Sequence, residues 1–231
     1  MRSLKAAILV INPVGHSRWD EQDRRIYESF ASPGTSITVT SLPRGPASIE
    51  EPRAYAEVLP LIVEKALENR DEYDAIIVNC FLDPGVDLLR GMIRKPVVGP
   101  CEASLALASM MARRIGIVTV GGDALWMIED RVRGLGYGDK VVALEGIGLG
   151  VSDIDKDVNA TLYELTKGCR RALSKGAKAI VLGCTGLAGL ARSLEDEIGA
   201  PVIDPAGAAL KVAEGLVTLS LRAPKGADER V

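Results

Sequence analysis

Histidine is nearly absent from this chain, with His16 alone in 231 residues. The four cysteines stand at positions 80, 101, 169 and 184, and none forms a Cys-x-x-Cys pair. Zinc-ligand spacing is therefore missing, and no metal is expected. An excess of positive charge is missing too: 28 Lys and Arg face 31 Asp and Glu, giving a net charge of −3. Such a chain offers no basic field to a phosphate backbone, so nucleic acid is not an expected partner. No apolar run reaches the roughly 18 residues that would span a bilayer. Met1-Arg2-Ser3-Leu4-Lys5 leads directly into a strand rather than an apolar signal segment, which makes a cytoplasmic location the expectation. Structural disulfides are not expected there. Gly121-Gly122-Asp123 fits neither a dinucleotide nor a phosphate-loop fingerprint.

What remains is a chain with 47% hydrophobic residues, enough for a packed core. Short apolar runs alternate with longer periodic segments, the pattern of parallel sheets flanked by helices. Strands are predicted at Ala6–Ile11, Ser36–Ser41, Asp74–Val78 and Val97–Val98, and again at Ile115–Val120, Lys140–Leu144, Lys178–Leu182 and Val202–Ile203. Helices are predicted near Arg53–Asn69, with Pro60 bending it or delaying its start, at Glu102–Arg113, at Asp155–Ser174 and at Pro205–Leu221. The Asp155–Ser174 helix carries Val158, Leu162, Leu165 and Cys169 on one apolar stripe, which places Cys169 in the core. Pro205 suits a first helical turn, where no amide hydrogen is needed.

The sequence repeats itself. Ala75-Ile76 and Cys80 match Ala179-Ile180 and Cys184 at a shift of 104 residues (80 to 184). After one inserted residue, Pro96-Val97, Pro100, Ala103 and Leu105 match Pro201-Val202, Pro205, Ala208 and Leu210. Ile8–Asn12 resembles Ile115–Thr119, and Gly15 falls opposite Gly122. The fold class expected is α/β, with two pseudo-symmetric domains and a cleft between them. Residues 1–98 with 207–222 make the first domain, residues 99–206 the second, and 223–231 a polar tail.

Each matched cysteine ends an apolar strand and precedes a turn that can open a helix, which is where ligands sit in parallel α/β sheets. A lone strand-end cysteine reads equally well as a small buried hydrophobe; a matched pair favours chemistry. Helix amino termini lower a thiol from its usual ~8.5, so both are expected to be mildly depressed and suited to proton transfer. Two thiols facing across a cleft would move a proton from one face of a carbon to the other. Asp83 reads as the cap of a helix begun by Pro84. Glu102 has the same ambiguity, and Cys101 is expected to pack. Asn12-Pro13-Val14-Gly15-His16-Ser17 reads as a ligand-holding loop or as a turn stabilised by its Asn and Ser. His16 is expected at the cleft edge.

Together, Ile11-Asn12-Pro13, Asn79-Cys80-Phe81-x-Asp83-Pro84-Gly85, Pro96-Val97-Val98-Gly99-x-x-Glu102-Ala103, Leu182-Gly183-Cys184-Thr185-Gly186 and Val202-Ile203-Asp204-Pro205 resemble the hydantoin/allantoin racemase family of the aspartate/glutamate racemase superfamily. The match runs over nearly the whole chain. Val14-Gly15-His16, Leu82 and Cys101 depart from the family pattern. The resemblance implies cofactor-independent, two-base racemisation of a 5-substituted hydantoin or related ureide, with Cys80 and Cys184 exchanging the proton. It implies substrate contacts at Asn12, Ser17, Asn79, Phe81, Thr119, Thr185 and Gly186, and a homo-oligomer. Thr185, Asn12 and backbone amides after each cysteine would stabilise the enolate. An aspartate/glutamate-type racemase, a maleate-type cis-trans isomerase, a decarboxylase, a small-molecule binding protein and a thiol sensor are the competing readings.

Overall fold

The structure, a computed structural model, describes residues 6–222. Eight strands form two four-stranded parallel sheets. The first has the order β2-β1-β3-β4, from β1 (Ala6–Asn12), β2 (Thr35–Ser41), β3 (Ala75–Val78) and β4 (Val97–Val98). The second repeats it as β6-β5-β7-β8, from β5 (Ile115–Thr119), β6 (Val141–Gly146), β7 (Ala179–Leu182) and β8 (Val202–Ile203). Every predicted strand is present, with ends shifted by a residue or two. The predicted polar tail 223–231 lies outside the described residues.

The central strands are short and wholly apolar, Ala-Ile-Ile-Val in β3 and Ala-Ile-Val-Leu in β7, and every residue of both is buried. Helices on both faces of a parallel sheet require this, because neither face meets water. The two sheets also agree in register. Ile11 pairs with Val78 in the first and Val118 with Leu182 in the second. The next residues, Asn79 and Gly183, continue the ladder by donating to the carbonyls of Ile11 and Val118, each at 2.8 Å. Each cysteine therefore follows a strand that the registered ladder holds in place.

Among the described residues seven α-helices lie between strands and an eighth follows the last: α1 (Asp20–Phe30), α2 (Pro52–Asn69), α3 (Val86–Arg90), α4 (Pro100–Met111), α5 (Ala124–Gly134), α6 (Val158–Ser174), α7 (Ala191–Ile198) and α8 (Pro205–Thr218). Helix α2 runs unbroken through Pro60. Pro60 and Ala56, whose carbonyl loses its amide partner there, both lie on the exposed side, where water can satisfy it. Val158, expected on the buried stripe of α6, is 48% exposed in that helix's first turn, while Leu165 and Cys169 are fully buried. Two helices change sides. Helix α4 leaves the first sheet and packs on β7 and β8 of the second, and α8 leaves the second sheet and packs on β1, β3 and β4 of the first. Glu214 of α8 fixes that return by accepting from Ser32 N, Ser32 Oγ and Thr35 Oγ1 at 2.7–2.8 Å.

Candidate active site

Cys80 and Cys184 line one cavity of about 90 Å³ between the carboxyl ends of the two sheets. Asn12, Asn79, Phe81, Thr119, Thr185 and Gly186 share its wall with the two thiols. Ser17 does not: it is exposed on the loop after β1, where its carbonyl accepts from Asp20 N at 3.1 Å. His16 stands outside the cavity, edge-on to Trp19 and bonded through Nε2 to the Ala47 carbonyl at 3.1 Å. Cys101 and Cys169 are fully buried away from it.

The polar side chains expected to meet a ligand are mostly committed to the protein. Asn79 donates both amide hydrogens, to Asn12 Oδ1 at 2.7 Å and Asp23 Oδ2 at 3.2 Å, and accepts from the Tyr27 hydroxyl at 2.9 Å. Asn12 donates to Asp20 at 2.8 Å. Thr119 gives its hydroxyl to the Gly183 carbonyl at 2.7 Å, and Thr185 gives its own to the Asn79 carbonyl at 3.2 Å. Asn12 and Thr185, expected to stabilise the enolate, are bonded here to Asp20 and to the Asn79 carbonyl. These bonds fix the loops that carry the thiols.

The thiols are not depressed. Burial pushes both Cys80 and Cys184 up to about 12, against partial offsets from backbone N–H bonds. Leu82 supplies the one at Cys80, and Gly186 and Leu187 supply two at Cys184. Turn amides aimed at each sulfur are present, as a helix start would provide, but removal from water outweighs them.

Asp83 does not cap the helix after Pro84. Its carboxylate reaches α4 and accepts from Cys101 N at 2.9 Å and Glu102 N at 3.0 Å. Gly99, the residue before α4, has no side chain to do this, and a Cβ there would lie 2.2 Å from Asp83 Cγ. Asp83 itself has φ 48, a left-handed conformation that Asp tolerates better than most residues. Arg131 of α5 pairs with both Asp83, at 3.3 Å, and Asp87, at 2.6 Å. Even so, burial raises Asp83 to about 6.

Sequence reasoning missed the three carboxylates on the cavity wall: Asp23, Glu50 and Asp155. Glu50 accepts from Val151 N at 3.0 Å and Ser48 Oγ at 2.7 Å. Asp155 takes both oxygens to Arg18 at 2.6–2.7 Å, tying the loop after β1 to the segment before α6 at the cavity mouth. Asp23 is 9% exposed, and burial is the main cause of its rise to about 7. Trp19, Asp23 and Tyr27 recur every fourth residue along one side of α1, so a carboxylate between two aromatics was a readable signal. Among the described residues no Lys or Arg lines the cavity.

Residues 8–213 match the family model described as Asp/Glu/Hydantoin racemase. A hydantoin racemase from Paenarthrobacter aurescens is 36% identical over 224 residues, 94% of each chain. Another, from Pseudomonas sp. (strain NS671), is 38% identical over 222 residues, covering 94% of this chain and 88% of its own. The solved allantoin racemase from Klebsiella pneumoniae superimposes with a TM-score of 0.92 at 33% identity, over 97% of this chain and 92% of its own. The chain belongs to the Asp/Glu/hydantoin racemase family.

Proposed function

We propose that this member of the Asp/Glu/hydantoin racemase family is a cofactor-independent racemase of 5-substituted hydantoins or related cyclic ureides, with Cys80 and Cys184 as its two bases. The observation that carries the reading is that two registered strand ends deliver both thiols to one cavity. One thiolate removes the hydrogen from the carbon next to the ring carbonyl. The facing thiol donates its proton to the opposite face, and the two exchange roles in the reverse direction. A neutral, amide-like carbonyl acidifies that carbon more than the carboxylate of a free amino acid does. The backbone amides of Leu82, Gly186 and Leu187 favour the thiolate form at the moment of transfer. With both thiols near 12 in the free protein, kcat/KM is expected to rise with pH across the neutral and mildly alkaline range.

A described wall with carboxylates and no Lys or Arg supports a neutral substrate over a dicarboxylate, because nothing on it would pair with a dianion. This counts against the aspartate/glutamate and maleate-type readings. Proton NMR in deuterated buffer, with 5-substituted hydantoins, allantoin, aspartate and glutamate, tests the assignment. Loss of the α-proton signal from a ureide is expected. Cys80→Ala and Cys184→Ala should each abolish racemisation while leaving solvent exchange of one enantiomer, opposite in the two variants. Full racemisation by either variant excludes the two-base mechanism.

A further inference from the structure

We infer that the carboxyl of Asp23 is the acceptor that receives an N–H of the bound ligand and so orients it between the two thiols. The inference rests on the ureide reading above and deepens it. Asp23 lies on the cavity wall and is nine-tenths buried, with an exposure of 9%. A carboxylate has about four acceptor sites. Asn79 Nδ2 fills one of them, at 3.2 Å, and the Asn12 amide also bonds to Asp23. Neither amide can fill the rest, since Asn79 spends its other hydrogen on Asn12 and Asn12 its other on Asp20. The other wall carboxylates are engaged with the protein on both oxygens, Glu50 with Val151 and Ser48, Asp155 with Arg18. The Thr119 and Thr185 hydroxyls are turned to backbone carbonyls.

Asp23 is thus held only by neutral amides, with acceptor sites to spare and no cation on the described wall. A further donor to such a buried carboxyl is favourable. The ligand is the group that can bring the donor, and a cyclic ureide carries N–H groups in its ring. Asp23 shares the cavity wall with Cys184, whose thiol is raised first by burial, then by Glu50 and, less, by Asp23. An N–H held there places the ring beside that sulfur. The rise of Asp23 toward neutrality in the free protein is consistent with a group completed by its ligand.

The test compares a 5-substituted hydantoin with its N1-methyl and N3-methyl derivatives, in wild type and in Asp23→Leu. In wild type, methylating the nitrogen that meets Asp23 should lower kcat/KM about tenfold or more. Asp23→Leu should lose a similar factor on the unmethylated substrate and discriminate less than about threefold between the two. Asp23→Ala serves if the leucine variant does not fold, because it offers no side-chain acceptor and the methyl penalty should again collapse. A penalty unchanged in the variant that folds overturns the assignment. Calorimetric binding of hydantoin and its N-methyl derivatives is measured in parallel. If ureides bind with an Asp23-dependent methyl penalty but exchange no α-hydrogen, the racemase reading fails and the Asp23 assignment stands. If no ureide binds, both fall.

Discussion

The two thiol loops occupy equivalent places and are locked by different chemistry. In the first half, the residue before the cysteine is Asn79, and its side chain bonds to Asn12 at the end of the neighbouring strand. In the second, that residue is Gly183, and Thr119 at the matching strand end bonds to its carbonyl. The capping of the crossing helices differs in the same way. Helix α8 is capped by its own Asp204, which accepts from Ala206 and Gly207 and reaches Gly189, beyond Cys184, at 2.6 Å. Helix α4 begins at a glycine, and its cap is supplied by Asp83 from the Cys80 loop. In both halves one aspartate ties a thiol loop to the helix that crosses over. The lesson is that register places the two sulfurs and local hydrogen bonds fix them, so the locks differ while the placement is kept.

The comparison can be broken most severely at Asn79. Asn79→Leu keeps the branched heavy-atom outline but strands Tyr27, Asn12 and Asp23, and about 3 kcal/mol of stability should be lost. Denaturant unfolding measures this, and a loss below about 1 kcal/mol would show that the lock is dispensable. Gly183→Ala comes next. A Cβ there lies 2.7 Å from both Ile117 Cγ2 and Thr119 Cβ, so about 1–3 kcal/mol of overpacking is expected, with a fall in kcat as Cys184 shifts. Thermal melts and steady-state kinetics read the two effects.

Acidity sharpens the comparison further, because burial raises Asp23 on the wall and Asp83 and Asp204 in the two loops. The native state holds a proton on Asp23 up to about pH 7, which the unfolded chain releases near 3.8. Asp83 does the same up to about pH 6. The folded state therefore binds more protons across this window, and stability falls as pH rises through it. Glu145 and Glu214 are lowered from 4.5, so their contribution is lost only on further acidification. The melting temperature should drop between about pH 5 and about pH 7, and Asp23→Asn should flatten the upper part of that drop. The smallest effect is expected at the mouth. Arg18 is 49% exposed, so Arg18→Ala should cost less than about 1 kcal/mol and change KM by at most about fivefold.

The sequence made the scaffold readable because the strands are short apolar runs bounded by turn residues, and because two copies confirm each other. Cys80 and Cys184 were legible for the same reason. The partners of the polar residues were not. Asn12 and Asn79 stand 67 residues apart, Arg18 and Asp155 stand 137 apart, and no local pattern signals either pair. Asp83 precedes a proline and so reads as a local cap; that it serves α4 depends on the missing side chain at Gly99. The thiol acidity failed for a physical reason. Turn amides are visible in sequence, whereas the depth of the cavity that outweighs them is not.

The crossing of α4 and α8 has a consequence for ancestry. A chain of one unit, ending in such a crossing helix, would leave its own sheet bare and could cover it only with the same helix borrowed from a twin. That arrangement is a swapped dimer on a twofold axis, with a single thiol from each partner meeting on the axis. Joining the twins end to end would keep the meeting point and free each side to change independently, which is the divergence now seen between Asn79 and Gly183.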